Sequence, residues 1–313
     1  MSPTTSPFGP LAVLLDPRAG HGAVANEVGA VEHALEARGL EYRLHVGGSA
    51  EELRRLSAAA LDEGYRFLAA VGDDATVQAV VNGMFREGRP IVDAPVLGVV
   101  AAGSGSDLPL SFGLPGDTER AIGHLAGADT YPFDVMKIAV TGADGERTVR
   151  YAHNVAEIGF HAAATIAAGR GGARFQNLKR FTAFWRAYAR TRVTPLAIGT
   201  DRRTLELQAW SVVIGNGQFS DGGIRMSPRS FPGDGVLDGL VFTGPKSNAY
   251  RLLPRIFRHG DHVPDPSITE VHAKLKIDVT SPARRLPVVA DGERLGTTPV
   301  TFQVVPQQIL LKV

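Results

Sequence analysis

An acidic pair, Asp73-Asp74, stands directly after the apolar run Phe67–Val71 and Gly72, and Ala75-Thr76 lead on into a helical stretch that reaches Asn82-Gly83. A buried strand that runs through small and acidic residues straight into a helix brings unpaired, partly positive backbone N–H groups to the strand's carboxyl end. Small residues let a phosphate approach those groups. A carboxylate beside them suits the magnesium of a nucleotide. The same stretch also reads as a plain strand-to-helix turn with Asp as its cap. Two more loops share this build: Asp16-Pro17-Arg18-Ala19-Gly20-His21-Gly22 after one strand, and Ala101-Ala102-Gly103-Ser104-Gly105-Ser106-Asp107 at the end of another. Serine hydroxyls and glycine backbone bind phosphate oxygens. Each loop alone is an ordinary turn, but three of them after strands of one parallel sheet would gather on one edge as a nucleotide pocket.

Late in the chain, Asp291-Gly292-Glu293 sits between short strands, where a glycine turn can aim two carboxylates into a cleft. Asp-Gly is equally a common hairpin turn. The oxygen-rich loop Gly233-Asp234-Gly235-Val236-Leu237-Asp238 also reads as a solvated turn. Other chemistries are excluded. There is no GxxxxGK[ST], no GxGxxG opening a helix after the first strand, no HExxH and no GxSxG. The nine histidines do not cluster at ligand spacing, and His259 and His262, flanking a Gly-Asp turn, read as surface residues. With no cysteine there is no disulfide, thiolate site or thiol nucleophile, which fits a reducing, cytoplasmic compartment.

The elements that must position these residues alternate in the first third. Strands are predicted at Leu11–Leu15, Tyr42–Val46, Phe67–Val71 and Val96–Ala101, and helices at Gly22–Arg38, from Ser49 to Glu63, and at Asp74–Phe85. Strand-helix alternation implies a parallel, layered α/β sheet. From about Asp129 strands dominate: Val135–Val140, Thr148–His153, Val193–Ile198, Leu205–Ile214, Val236–Phe242, Leu275–Val279, Leu286–Val289, Thr301–Val304 and Ile309–Val313. Helices Arg174–Arg192 and Lys246–His259 interrupt them. The expected organisation is an α/β domain over 1–128, completed by 305–313, and a mainly antiparallel β domain over 129–304, with the cleft between them. A chain of 313 residues is long enough for two cores. Lys and Arg total 33 against 32 Asp and Glu, which argues against nucleic acid as a partner. No run of about 18 apolar residues is present to span a membrane. Met1–Pro10, with three prolines and no basic region, reads as a frayed leader to the first strand and not as a signal peptide.

Taken in order, these motifs resemble the diacylglycerol-kinase catalytic family, which includes sphingosine, ceramide and bacterial lipid kinases. Its GGDGT and TVNEVVNG motifs match Gly72-Asp73-Asp74-Ala75-Thr76 and Val77–Gly83. Its NPxAG and PxGTxND loops match Asp16–Gly20 and Ala101–Asp107, and its NVAxxGFDA matches Asn154–Ala162. Its long NGxxxGGG…DDGxLD motif matches Asn216-Gly217, Gly222-Gly223, Pro228 and Gly233–Asp238, and its late DGE matches Asp291-Gly292-Glu293. The resemblance implies an α/β domain of the NAD kinase and diacylglycerol kinase type, and an ATP- and Mg²⁺-dependent kinase acting on a hydroxyl of a lipid or lipid-like substrate. It implies nucleotide binding by Asp16, Arg18, Gly20, Gly72, Asp73, Ala75, Thr76, Gly103, Ser104, Gly105 and Asp107. Asp74 would hold the nucleotide's magnesium or its bound water, and Glu293, with Asp291 second, would be the general base. A structural Mg²⁺ would take the Asp234 carboxylate and the carbonyls of Phe231 and Val236.

Departures bear on the site. Asp73 and Ala75 stand where the family has glycines, which tolerate positive φ and close phosphate approach, and Asp16 and Ser106 replace asparagines. A nucleotide- or lipid-binding protein without catalysis is therefore a second reading. A kinase of a non-lipid hydroxyl compound is a third, although NAD kinases, which share the GGDGT loop, lack the late DGE. In helix Arg174–Arg192, Phe175, Leu178, Phe181, Trp185 and Tyr188 form an apolar stripe bordered by Arg and Lys. It reads first as a stripe packed on the sheet with a basic solvent face. Peripheral contact with an anionic membrane is the alternative, and a homodimer is compatible with either.

Overall fold

Strand β1 (Leu11–Leu15) is five consecutive apolar residues, all buried, the composition of a strand covered on both faces. In the computed structural model, which describes the chain outside residues 1–5, 103–105, 115, 143–144, 170–175, 221 and 259 and gives no side chains for 21 and 176–180, β1 lies inside a layered unit. Around it come α1 (Ala23–Ala37), β2 (Tyr42–Val46), α2 (Ala50–Asp62), β3 (Phe67–Gly72) and α3 (Asp74–Gly83). A two-stranded ribbon, β4 (Phe85–Arg86) and β5 (Arg89–Pro90), precedes β6 (Val96–Ala101), α4 (Leu108–Ser111) and α5 (Thr118–Leu125). β1 pairs in parallel with β2 and β3, β3 pairs in parallel with β6, and Leu310 and Leu311 add to β6 in the same sense. This unit extends to Asp134 and includes Pro306–Val313. Its core joins β1, β3 and β6 to Val24, Val31 and Leu35 of α1 and Ile122 and Leu125 of α5. Burying each such side chain contributes about 1.5–3 kcal/mol.

The second unit, Val135–Val305, has its own core. Its elements, with β7 beginning in the residues of the first unit, are β7 (Thr130–Thr141), β8 (Arg147–Ala152), β9 (Val155–Gly159), α6 (Phe160–Ala168), α7 (Gln176–Arg190), β10 (Thr194–Gly199) and β11 (Thr204–Gly215). A short ribbon, β12 (Phe219–Ser220) and β13 (Ile224–Arg225), leads to β14 (Leu237–Thr243), α8 (Ala249–Arg258), β15 (Ile268–Ala273), β16 (Lys276–Thr280), β17 (Pro287–Ala290) and β18 (Glu293–Lys312). The pairings among β9–β11 and β16–β18 are antiparallel and return on themselves: β11–β9–β17–β18–β16–β10 and back to β11. β11 closes this circuit because it is long enough to serve two partners on one edge. Thr204–Ala209 pair with β10, and Ser211–Gly215 pair with β9. Closure leaves fewer unpaired strand edges.

Three local readings differ from the structure. β9 and α6 occupy the motif Asn154–Ala162, where the sequence suggested no element, because two apolar turns of helix follow a buried strand without a polar break. Thr301–Val304 and Ile309–Val313 belong to one strand, β18, whose residue Gln307 adopts φ 52° yet keeps the strand continuous. The α7 stripe is not packed as expected. Phe181 and Trp185 are 60% and 37% exposed, and the packed side is Ala183, Phe184 and Ala187. Helix α6 and the aromatic cluster around Phe160 already fill the space beneath α7, so small residues meet it. Arg174, Phe175 and the Leu178 side chain lie outside the described residues.

Candidate active site

The first unit's candidate residues gather around the β3–α3 junction. Gly72 has φ 153°, and a Cβ there would come within 2.5 Å of the Thr76 hydroxyl, so a side chain is excluded. Position 73 is different. Asp73 is extended, with φ −94° and ψ 179°, a conformation open to any residue. Its Oδ1 accepts from the Thr76 N–H and hydroxyl, both at 3.1 Å, and so caps α3. Ala75 lies inside the helix. The backbone thus demands a glycine at neither departure, which corrects the expectation from the family motif. Asp74, in the first turn, accepts the Ser106 hydroxyl at 2.7 Å and the Asp107 N–H at 2.9 Å on one oxygen. Ser106 and Asp107 are buried, so Asp74 ties α3 to the segment after β6. Gly103, Ser104 and Gly105 lie outside the described residues. In the loop after β1, Asp16 accepts from the Arg18 backbone N–H at 2.8 Å and from its guanidinium at 3.2 Å. The negative charge that replaces asparagine there has a positive partner. Gly20 lies in the one-turn 3-10 helix Ala19–Gly22 that follows.

The second unit brings three distant motifs together. Asp291 and Gly292 form the two-residue turn between β17 and β18, with φ 45° and 78°, so both central residues are left-handed, as a type I′ hairpin turn requires. The turn is not merely a solvated one. The Asp291 carboxylate is buried, and it accepts the N–H of His153 at 2.7 Å, of Asn154 at 3.1 Å and of Val155 at 3.0 Å. His153 Nδ1 lies 2.9 Å from the same group. The Asp291 N–H in turn donates to the Val155 carbonyl. Asn216 completes the knot: its side-chain amide donates to the His153 carbonyl at 2.7 Å, and its backbone N–H, with that of Gly217, donates to the Asn154 carbonyl. Glu293 opens β18 opposite Ala290 and is half-buried. The two carboxylates of the turn are therefore not equivalent. Asp291 is engaged with backbone, whereas Glu293 begins a strand at the rim of the turn.

Asp234 makes a local turn, accepting the Val236 N–H at 2.9 Å, and the Phe231 carbonyl accepts from Gly233 at 2.8 Å. Among the described residues no three His, Asp or Glu side chains gather at metal-binding spacing. Asp238, in the same motif, is taken by His272 at 2.6 Å. One carboxylate with backbone carbonyls would suit a hydrated Mg²⁺ and not a multi-carboxylate cage.

Sequence reading missed His153, which is fully buried; its signal was its place beside Asn154. It misplaced His262, which is fully buried with Nε2 3.2 Å from the Met226 carbonyl and its ring stacked on Phe242. His259 lies outside the described residues. His161, at the start of α6, is also buried, with Nδ1 2.8 Å from the Ser211 hydroxyl. Burial lowers the pKa of His161 to about 3, with a smaller contribution from His262. Burial likewise lowers that of His262.

Residues 10–138 match the diacylglycerol kinase catalytic domain, and residues 154–313 match the YegS C-terminal NAD kinase beta sandwich-like domain. A diacylglycerol kinase of Mycobacterium tuberculosis is 26% identical over 304 residues, covering 96% of this chain and 93% of the relative. A diacylglycerol kinase of Bacillus subtilis is 21% identical over 297 residues, covering 93% and 91%. The crystal structure of a diacylglycerol kinase from Bacillus anthracis superposes with a TM-score of 0.72 at 19% identity over 98% of both chains, which shows a shared fold. No helix of the described residues is long and apolar enough to cross a membrane. With both halves matched in order and the second match alone spanning half the chain, this protein belongs to the diacylglycerol kinase family that carries the YegS-type C-terminal domain.

Proposed function

We propose that this chain transfers the γ-phosphoryl group of Mg-ATP to a hydroxyl of a lipid or lipid-like alcohol. The observation that carries this is Asp74: a half-exposed carboxylate in the first turn of α3, at the carboxyl end of a parallel strand, held by Ser106 and Asp107. Phosphoryl transfer depends on positioning and charge stabilisation more than on covalent chemistry. The first-turn amides of α3 would receive phosphate oxygens. Asp74 would fix water on the nucleotide's magnesium, and Arg18 would add positive charge. The acceptor oxygen attacks the γ-phosphorus, the bond to the β-γ bridging oxygen breaks, ADP leaves, and the hydroxyl proton passes to the carboxylate of Glu293. Asp291 is the positioning residue, fixing the turn that presents Glu293. Asp234, with the Phe231 and Val236 carbonyls, would hold a structural Mg²⁺ whose role is to fix the loop before β14.

A reading as a catalytically silent homologue was motivated by Asp73 and Ala75. Asp73 works as a helix cap in ordinary backbone geometry, which favours the active enzyme. The test is ADP release from Mg-ATP with a panel of diacylglycerol, monoacylglycerol, ceramide, sphingosine, phosphatidylglycerol and NAD. Turnover with one lipid acceptor that falls about a thousandfold in Asp74→Ala is expected, the scale of losing one preorganised electrostatic contact. Absence of turnover with every acceptor, together with no Mg-ATP binding, overturns the proposal.

A further inference from the structure

Helices α7 and α8 repeat one pattern. Phe181, Trp185 and Tyr188 on α7, and Tyr250, Pro254 and Phe257 on α8, each recur at i, i+4 and i+7, the spacing of a single helix face. Phe181, Tyr250 and Phe257 are 60%, 58% and 56% exposed. The two stripes meet: the Trp185 and Tyr250 rings lie 5.8 Å apart and those of Tyr188 and Tyr250 5.4 Å apart. Between them is an apolar groove of about 180 Å³ floored by Phe184, Ala249 and Leu253. Arginine follows one position on, at Arg186 after Trp185, and at Arg251, Arg255 and Arg258 after the three α8 positions, a rotation of roughly 100° round each helix. Arg251 and Arg255 are bound to Asp265, while Arg186, Arg190 and Arg258 are exposed and make no ion pair among the described residues. Neither helix contains an acidic residue, although Asp and Glu nearly balance Lys and Arg over the whole chain.

We infer that the α7–α8 face is a docking surface for an anionic phospholipid bilayer. Exposed aromatic rings with a polar edge settle at headgroup depth. The arginine stripe beside them lies where it can reach lipid phosphates. A second copy of the chain is a poor occupant, because a two-fold interface sets the same patch against itself and would oppose two acid-free arginine stripes. The inference serves the lipid-kinase reading, since such an enzyme meets its substrate at a membrane, but its test needs no turnover. Cosedimentation with vesicles of phosphatidylcholine alone and of phosphatidylcholine with phosphatidylglycerol reads it without ATP. The expected result is binding to the anionic vesicles, weakened by salt, with a blue shift of Trp185 emission; the other tryptophan, Trp210, is buried. Arg186→Ala, Arg190→Ala and Arg258→Ala combined should weaken binding roughly a hundredfold, at about fivefold per arginine. Phe181→Ala with Phe257→Ala, at exposed positions that the fold does not need, should weaken it independently with the unfolding midpoint unchanged. Binding unaltered by either variant set, no binding to anionic vesicles, or a dimer in solution that these substitutions dissociate would each overturn the inference.

Discussion

The β3–α3 junction and the Asp291 knot both answer to family motifs, yet they use their polar residues in opposite ways. At the junction Asp74 is half-exposed and accepts the Ser106 hydroxyl and the Asp107 N–H. In the knot the Asp291 carboxylate is buried and three backbone N–H groups converge on it. A motif residue can therefore be kept for what it offers a ligand or for what it holds in the fold, and exposure separates the two. The sharpest break between the regions comes from removing each carboxylate. Asp291→Ala strands buried amides of His153, Asn154 and Val155, and the expected loss is about 3–5 kcal/mol of unfolding free energy in urea. Activity should fall with it only through misplacement of Glu293. A stable, fully folded Asp291→Ala would make the knot dispensable and erase the contrast.

Histidine burial gives the next largest effect, strongest at His161 in the second unit. The folded pKa of His161 is about 3, below the unfolded value near 6.5. Above pH 6.5 both states are neutral and stability does not depend on this group. As pH falls below 6.5 the unfolded chain takes up a proton that the folded one refuses, so stability declines by about 1.4 kcal/mol per pH unit. Between pH 6.5 and 5.0 that amounts to about 2 kcal/mol. His161→Gln should flatten this part of the curve in denaturation series at fixed pH. Carboxylates whose pKa values are held low, such as Asp265 and Asp278, act only at more acid pH and leave this window to histidine. An unchanged slope in the variant would show that His161 is not sealed from solvent.

At the junction the thermodynamic effect should be small and the kinetic one large. Asp74→Ala removes hydrogen bonds to a partly solvated acceptor, worth about 0.5–1.5 kcal/mol each. Its unfolding midpoint should move little while turnover collapses. A stability loss matching that of Asp291→Ala would mean that Asp74 is structural too.

The same contrast explains what the amino-acid sequence made legible. β1 and β6 occupy the stretches expected from buried apolar runs, β2 lies at the expected Tyr42–Val46, and the Ser49 cap of α2 is present, its side chain accepting from Glu52. Periodicity and capping act within a few residues, so one segment suffices to see them. Asp74 and Glu293 were visible as carboxylates beside glycine turns for the same reason. The knot was not, because His153, Asn216 and Asp291 are brought together only by the pairing of β9 with β11 and β17. His262 looked like a surface residue beside a Gly-Asp turn, since nothing local announces the stacking of Phe242 above it. The stripe on α7 had the right residues but the wrong side inward: Ala183 and Ala187 fit over α6 where Phe181 and Trp185 would not.

The smallest expected effect is the one that sharpens the junction most. Asp73→Gly restores the family residue at a position whose backbone is extended and needs no glycine. Replacing an acidic cap with glycine costs only a few tenths of a kcal/mol, so the unfolding midpoint should hardly move. If the site tolerates Asp73 as its geometry indicates, the apparent affinity for Mg-ATP should change by no more than a fewfold, read from the concentration dependence of ADP release. A gain of tenfold or more would mean that the Asp73 carboxylate repels the nucleotide despite its bonds to Thr76. The cap would then restrain the enzyme, and the line between residues that serve the fold and residues that serve the ligand would run through the junction itself.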